Sequence, residues 1–272
     1  MARFITFLSD FGLRDGFVGT CHGVIKRIAP EAEIIDITHG IEPQQVLQGA
    51  LVLADTLEYM PLGVHLAVVD PGVGGARRPL ALEDGDGRLY VGPDNGLLVP
   101  AAEAGGGVAA AHELANPRFA LHPVSHTFHG RDLFAPAAAH LSLGVPLAEL
   151  GPPLDPEVLA RIVVPEPEVG HSRIGATALA VDRFGNVQLN VGSDALEEAG
   201  GEPGTRIGLE LPTGRRSAVV ARTFADVAQG DVFVYGNSTG TVSLAVSGGS
   251  ASAALGLTSG ERVWIEIDSR RA

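Results

Sequence analysis

Residues 64–74 read VHLAVVDPGVG, an apolar run interrupted only by His65 that ends in an aspartate and a glycine-rich turn. A run of this kind predicts a strand buried on both faces, as in parallel sheets that helices cover. Two earlier stretches repeat the arrangement, FITFLSDFG at 4–12 and EIIDITHG at 33–40. Helical patterns over residues 16–29 and 43–60 separate the three runs. We therefore predict an α/β domain whose mainly parallel sheet is flanked by helices.

The pattern changes after residue 150. Residues 151–168 are rich in proline and predict a linker. Beyond them, short alternating apolar runs broken by glycine predict a smaller all-β domain, either a barrel or a sandwich. We place the α/β domain at 1–150, the linker at 151–168 and the β domain at 169–272.

Composition excludes several classes of protein. The formal charge of −13, from 19 Lys plus Arg against 32 Asp plus Glu, argues against nucleic-acid binding and suits a small neutral or cationic ligand. A single cysteine, Cys21, excludes an intramolecular disulfide and a cysteine-rich metal site. The sequence shows no signal peptide and no apolar run of about 18 to 20 residues, so we expect a cytoplasmic protein that binds no membrane.

Polar residues follow each of the three predicted strands. Asp10, His39 and Asp70 would meet at one edge of a parallel sheet, where such folds bind ligands. A carboxylate there can accept from both hydroxyls of a ribose, and Asp10 is our candidate. Arg77 lies seven residues after Asp70, across a glycine-rich loop that could bring the two together. The alternative is that these residues only make turns, caps and a structural ion pair.

Three histidines lie close together in HPVSHTFHGRD at residues 122–132. His122, His126 and His129 suggest a metal site, but Pro123 breaks the helix that would align the first two. We favour His129 as a base or hydrogen-bond partner in the crevice and predict no metal. A metal-dependent hydrolase that uses these histidines stays an alternative.

Turns of the second domain carry side chains suited to a purine. Asn186 ends the stretch DRFGN at 182–186, and its amide offers one donor and one acceptor to a base edge. Phe184 and Phe224 could stack on the face of a base. Ordinary turn chemistry is the competing interpretation.

Six ordered motifs resemble one known family across nearly the whole chain. The motifs are SDFGLRD at 9–15, ITHGI at 37–41, VDPGVG at 69–74, TFHGRD at 127–132, DRFGN at 182–186 and NSTG at 237–240. They are similar to the S-adenosylmethionine (SAM) hydroxide adenosyltransferases, also called adenosine-forming SAM hydrolases, which are related to fluorinases and chlorinases.

The resemblance implies a role for each candidate residue. In the first domain it implies that Asp10 binds the ribose hydroxyls, and that Asp70, Arg77 and His129 hold the attacking water or hydroxide. The substrate-binding candidates of the second domain are Phe224 stacked on adenine, Asn186 bound to its edge, Phe184 beside them, and Asp182 and Ser238 at the methionine end.

Departures from the halogenases favour water as the nucleophile. This chain has Asp70 where those enzymes carry an aromatic hydroxyl, Val73 at their halide-side threonine and Gly130 at their halide-binding serine. Gln44 replaces the indole near the ribose, and Thr239 replaces the arginine that binds the methionine carboxylate.

The resemblance therefore implies hydrolysis of SAM to adenosine and methionine by attack at C5′. It also implies no cofactor, adenosine bound as product, and a homotrimer with the site at the subunit interface. A non-catalytic protein that binds adenosine or SAM is the main alternative.

Overall fold

The computed structural model describes residues 4–267. The terminal residues 1–3 and 268–272 of the two predicted domains lie outside the described residues. The chain divides into two compact units, which we call unit 1 (Met1–Ile162) and unit 2 (Val163–Ala272). The division falls inside the proline-rich segment 151–168.

Unit 1 contains one seven-stranded sheet among its described residues. Its strands are β1 Phe4–Ser9, β2 Glu33–Thr38, β3 Val64–Val68, β4 Pro79–Asp84, β5 Leu89–Pro93, β6 Val108–Glu113 and β7 Pro153–Leu154. Its helices are α1 Phe17–Ile28, α2 Val46–Leu57, α3 Val99–Ala104 and α4 Ala135–Ser142. A single π-helical turn, Gly130–Phe134, leads into α4.

The sheet is mixed, so the prediction of a mainly parallel sheet is wrong. The strand order is β2-β1-β3-β5-β4-β6-β7, in which β2, β1, β3 and β5 run parallel. The pairs β5–β4, β4–β6 and β6–β7 are antiparallel. A tight turn at residues 85–88 joins β4 to β5, and so short a connection can only form an antiparallel pair.

Helices cover both faces of this sheet, and alternate strand residues face the two layers. Phe7 and Leu66 pack with α1 and α4, whereas Leu8 and Ala67 pack with α2 and α3. All five residues of β3 are buried, which confirms the strand predicted from its apolar run. The sheet therefore forms the rigid middle layer of a three-layer unit, with its loops free to carry functional groups.

One helix begins later than its pattern predicts. The pattern of residues 94–102 predicts a helix that begins at Asp94, but α3 starts at Val99. Side chains hold the first residues in turns instead, because Asp94 accepts from Arg78 Nε at 2.9 Å and from Ala160 N at 2.8 Å. Asn95 Nδ2 also donates to Val69 O at 2.8 Å. These bonds compete with helix formation.

Unit 2 is a closed barrel. Its strands are β8 Glu168–Val169, β9 Arg173–Val181, β10 Val187–Gly192, β11 Arg206–Leu211, β12 Gly214–Val220, β13 Val232–Gly236, β14 Thr241–Val246 and β15 Arg262–Ile267. Two short helices, α5 Ser193–Glu198 and α6 Ala251–Leu255, lie between strands. The order β10-β14-β13-β12-β11-β15-β9 closes into seven strands because β9 also pairs with β10, and β8 adds to β9 outside the ring.

Closure leaves the barrel strands without an open edge and buries one apolar interior. Leu189, Leu209, Leu244 and Ile265 are fully buried in that interior. The barrel alternative of the predicted all-β domain is thereby confirmed. Among the described residues of both units, no helix is long and apolar enough to cross a membrane.

Candidate active site

The carboxyl ends of β1 and β3 place two carboxylates at one edge of the sheet. Asp10 follows β1 directly, and Asp70 lies two residues beyond β3, its parallel neighbour. Asp10 Oδ2 accepts from the backbone N–H of Gln44 at 2.9 Å. Gln44 has a φ of 68°, a left-handed conformation that costs free energy in a residue other than glycine. The strained residue thus supplies the donor that orients Asp10.

His39 was expected at the same edge, and its side chain does not line an open crevice. It is only 5% exposed, and its Nδ1 lies 2.7 Å from Ser9 Oγ. The ring of Phe7 packs against it, with centroids 4.7 Å apart. The packing of Phe7 and Ser9 buries His39. The position of His39 after β2 in the sequence does not reveal this burial.

Asp70, Arg77 and His129 form one connected hydrogen-bond chain, which we call the triad. Arg77 Nε donates to both carboxylate oxygens of Asp70, at 2.9 and 3.1 Å, and Arg77 Nη2 also bonds Asp70 Oδ2. The same Nη2 lies 2.7 Å from His129 Nδ1. The side chains of Asp70 and Arg77 are only 6% and 10% exposed, so these contacts are poorly screened by water. The sequence separations of 7 and 52 residues are bridged entirely by the fold.

The geometry fixes the protonation state of His129. A guanidinium only donates, so Nδ1 must accept and the ring proton must sit on Nε2. Burial and the positive charge of Arg77 lower the pKa of His129, against the opposing effect of Asp70. The ring is therefore neutral at pH 7 and presents an Nε2–H donor.

Glycines bring the loop after β3 against the segment that carries His129. Gly74 has a φ of 74°, and a Cβ placed on it would lie 2.2 Å from the carbonyl oxygen of His126. At Gly72 a Cβ would lie 3.2 Å from Arg77 Cγ. The backbone approaches so closely that only glycine fits at Gly74. This packing explains the DPGVG sequence and holds Arg77 within reach of His129.

Asp132 shapes the turn that presents His129. Its Oδ2 accepts from Ser125 N at 2.8 Å, and its Oδ1 accepts from Arg131 Nε at 2.6 Å. Burial alone would raise the pKa of Asp132, but these hydrogen bonds outweigh it and lower the pKa. Ser125 Oγ in turn accepts from Phe128 N at 2.9 Å. Asp132 and Ser125 are not among the residues predicted from the sequence, although the S-x-x-F-H-G-R-D spacing is typical of a turn closed by side chains.

Phe11 and Phe128 line the same edge and constrain Gly130. Their ring centroids lie 5.8 Å apart at an interplanar angle of 75°. A Cβ on Gly130 would lie 2.9 Å from Phe11 Cζ and 3.5 Å from Phe128 Cε2. The absence of a side chain at Gly130 is thus part of the aromatic packing.

The histidines of residues 122–132 do not gather around one point. His122 Nε2 lies 2.9 Å from the carbonyl oxygen of Pro117, and His129 Nδ1 is bound by Arg77. Within residues 4–267, the only His, Cys, Asp or Glu side chains grouped closely enough to hold a metal ion lie elsewhere, on α1 and around β2. The geometry therefore disfavours a metal site at these three histidines.

In unit 2, Asp182 closes the turn between β9 and β10. Its Oδ1 accepts from Phe184 N at 2.8 Å and Asn186 N at 2.9 Å, and its Oδ2 accepts from Asn186 Nδ2 at 2.7 Å. Gly185, with a φ of 83°, leaves no room for a Cβ beside Ser250. Asp182 therefore orients the amide of Asn186, a role that its place in the sequence did not reveal.

A hollow of about 660 Å³ opens beside this turn, large enough for a nucleoside. Phe184, Asn186 and Phe224 line it together with Val246 and the Gly248–Gly249 backbone. Phe224 is 43% exposed and is held edge-on by Phe233, with centroids 4.9 Å apart. The structure thus brings three of the predicted residues of unit 2 together around one apolar surface.

Ser238 lies exposed in the turn between β13 and β14. Asn237 builds this turn, since its Oδ1 accepts from Thr239 N at 3.0 Å and Thr241 N at 3.1 Å. The turn is therefore preformed, and its tip presents the hydroxyl of Ser238.

Comparison with known proteins identifies the family. The model of the SAM hydroxide adenosyltransferase N-terminal domain matches residues 5–151, and that of the C-terminal domain matches residues 176–264. The chain belongs to the SAM hydroxide adenosyltransferase family. It is 50% identical to a Salinispora tropica protein named (R)-S-adenosyl-L-methionine hydrolase, over 96% of this chain and 97% of that protein.

A solved structure and a more distant relative are also similar to this chain. A solved structure of an uncharacterized conserved protein from Thermotoga maritima has a TM-score of 0.88 and 37% identity, covering 96% of this chain and 99% of that one. A protein from Actinoplanes sp. named fluorinase is a more distant relative, 30% identical over 89% of this chain and 90% of that protein. The resemblance seen in the sequence motifs is confirmed.

Proposed function

We propose that this chain hydrolyses SAM to adenosine and L-methionine by attack of water or hydroxide on C5′ of the ribose. The observation that carries the proposal is the triad of Asp70, Arg77 and His129, assembled at the same sheet edge as Asp10. Family membership and the names of the most similar relatives support SAM as the substrate.

The chemistry needs an aligned nucleophile and little else. A water oxygen forms a bond to C5′ while the C5′–S bond breaks, and the electron pair of that bond returns to sulfur. Methionine leaves as a neutral thioether, so no general acid is required. The water must lose a proton, and positioning it in line with the leaving sulfur supplies much of the rate.

The triad divides these tasks. Arg77 cannot accept a proton, because a guanidinium only donates, and it is bound to both of its neighbours. Neutral His129 can donate from Nε2 to the water oxygen and hold it. Protonation of His129 would place a second positive charge beside Arg77. Asp70 keeps lone pairs beyond those that Arg77 occupies, so we assign it as the proton acceptor.

The remaining predicted residues bind the substrate in this proposal. Asp10, oriented by Gln44 N, accepts from the ribose hydroxyls. In the hollow of unit 2, adenine stacks on Phe224 and Phe184, and the oriented amide of Asn186 bonds its edge. Asp182 and Ser238 bind the methionine end. Asp182 does so with the lone pairs that its own turn leaves free.

We further propose a cytoplasmic homotrimer in which each site lies at a subunit interface, and a reaction that needs no cofactor and leaves adenosine bound as product. The family resemblance supports the trimer. Light scattering of the purified protein tests it: a mass three times that of the 28.1 kDa chain is expected, and a monomer would contradict it.

Incubation with SAM in H₂¹⁸O buffer with EDTA tests the reaction. We expect adenosine and methionine, with ¹⁸O in the 5′-hydroxyl of adenosine and no dependence on added chloride. Asp70→Asn and His129→Ala should abolish turnover, whereas His126→Ala, a change at an exposed neighbour, should not. Bound SAM with no adenosine formed would refute hydrolysis and leave the non-catalytic binding protein. Loss of activity with EDTA would indicate a metal-dependent hydrolase.

A further inference from the structure

A second cluster of ionisable side chains lies on α1 and around β2, and no step of the proposed reaction uses it. It consists of His22, Asp36 and His39, which we call the His₂Asp cluster. His22 Nε2 lies 2.9 Å from Asp36 Oδ1, and His39 Nε2 lies 3.1 Å from the same oxygen. One ligand atom from each residue lies within 4.8 Å of the other two.

His39 gives the strongest indication that the cluster binds something. Its side chain is 97% buried, and within residues 4–267 its Nε2 has neither solvent contact nor a hydrogen-bond partner, although Asp36 Oδ1 lies 3.1 Å away. A buried polar atom without a partner costs about 1–3 kcal/mol. Such atoms are uncommon in native proteins, and this one lies within 4.8 Å of two further metal-ligating groups.

The surroundings of His39 match those of a metal-bound histidine. Its other nitrogen, Nδ1, lies 2.7 Å from Ser9 Oγ. In the Nδ1–H tautomer this contact is a hydrogen bond to Ser9, and a lone pair remains on Nε2. Ligating histidines typically anchor their second nitrogen in this way. Burial lowers the pKa of His39 despite the nearby carboxylate, so the ring stays neutral.

The separations suit a small transition-metal ion. Bonds from Zn²⁺ to nitrogen or oxygen of about 2.0–2.2 Å in a tetrahedron place neighbouring ligand atoms roughly 3.3 Å apart. The two separations from Asp36 Oδ1 are 2.9 and 3.1 Å, so an ion needs only small outward movements. His22 and Asp36 are accessible to solvent, which provides an entry path.

We propose that His22 Nε2, Asp36 Oδ1 and His39 Nε2 form a binding site for one divalent transition-metal ion of the Zn²⁺ type. Two imidazoles and a carboxylate are ligands that Zn²⁺, Co²⁺ and Ni²⁺ accept, and water completes the fourth position. On binding, the proton on His22 Nε2 that faces Asp36 is replaced by the metal, and the ring takes the Nδ1–H tautomer. The ion would join α1 to β2. The site does not depend on the proposed function.

Zinc titration of tag-free, chelator-treated protein tests the site. Calorimetry should find one Zn²⁺ per chain, and Zn²⁺ should raise the midpoint of thermal unfolding because it binds the folded state. Co²⁺ should give the visible d–d bands of a four- or five-coordinate site. His22→Ala and Asp36→Asn change accessible residues and should fold; each should weaken binding by more than about tenfold and remove the Co²⁺ bands.

His126→Ala is the matched control, since it removes an exposed histidine of unit 1 outside the cluster. It should bind Zn²⁺ as tightly as the parent. Equal stoichiometry and affinity in the His22→Ala/Asp36→Asn double variant would overturn the proposal. So would a parent protein that takes up no Zn²⁺.

Discussion

Arg77→Lys tests whether the guanidinium fork of the triad matters to the proposed reaction beyond its charge. A lysine ammonium can reach Asp70, but it cannot at the same time supply the donor that lies 2.7 Å from His129 Nδ1. At least one charge-assisted hydrogen bond is therefore lost, worth about 1.5–3 kcal/mol. If the bond positions His129 in the transition state, kcat falls about 10- to 160-fold, with little change in KM. Steady-state rates of adenosine formation measure the effect.

Arg78→Lys is the control, because the neighbouring arginine makes a similar pair at a different place. Arg78 Nε donates to Asp94 Oδ2 at 2.9 Å, and Arg78 Nη2 donates to Val158 O at 3.0 Å. Its loss should lower the midpoint of thermal unfolding and leave kcat intact. An Arg77→Lys variant that keeps the parent kcat would contradict this prediction. So would an Arg78→Lys variant that loses as much activity as Arg77→Lys.

Three further predictions follow from single side chains. Burial and Arg77 lower the pKa of His129 from its usual 6.5, so kcat/KM should decline only below pH 6.5, where protonation of His129 breaks its bond to Arg77. A pH profile of kcat/KM with its midpoint at or above pH 6.5 would contradict this assignment. Burial lowers the pKa of His65 from 6.5 to about 3, so the unfolded chain binds a proton that the folded chain does not. The free energy of unfolding should then fall by up to about 2 kcal/mol between pH 7 and pH 5 from this group, and urea titrations of His65→Asn should lose that part of the dependence. Gly130→Ala should destabilise the fold by about 1–3 kcal/mol, because the new Cβ would lie 2.9 Å from Phe11 Cζ. Gly23→Ala in α1 has open space around it and should stabilise the fold by roughly 0.5–1 kcal/mol. Thermal unfolding midpoints that shift in the same direction for both variants would contradict this prediction.

The parts of the fold that were predictable are those encoded by neighbouring residues. The apolar run of β3 and the alternation of β11 or β14 appear in a few consecutive side chains, so these strands were found. Pairing direction is a different matter. The DGDG turn at residues 84–87 predicts the hairpin of β4 and β5, but the antiparallel pairing of β6 with β4 depends on contacts that no local pattern carries. The sheet was therefore predicted as more parallel than it is.

Candidate site residues show the same limit. Asp10 and Asp70 were predicted because strand ends are local features and parallel strands share an edge. His39 has the same position after its strand, yet Phe7 and Ser9 bury it. Arg77 and His129 are 52 residues apart, and the close approach of Gly74 to His126 brings their two segments together. Such a contact follows from the tertiary fold, so the sequence indicated it through family resemblance alone.

The charge balance of the triad gives a physical reason for water, rather than halide, as the nucleophile in the proposed reaction. Asp70 carries one negative charge and Arg77 one positive charge in contact, and His129 is neutral, so the group offers no net positive charge to an anion. Burying a halide there would cost its hydration without a compensating ion. Gly130 and Val73 also provide no hydroxyl donor at this edge. The desolvation of water costs far less free energy. In the proposed reaction, His129 Nε2–H donates a hydrogen bond to the water oxygen, and Asp70 accepts the proton that the water must lose.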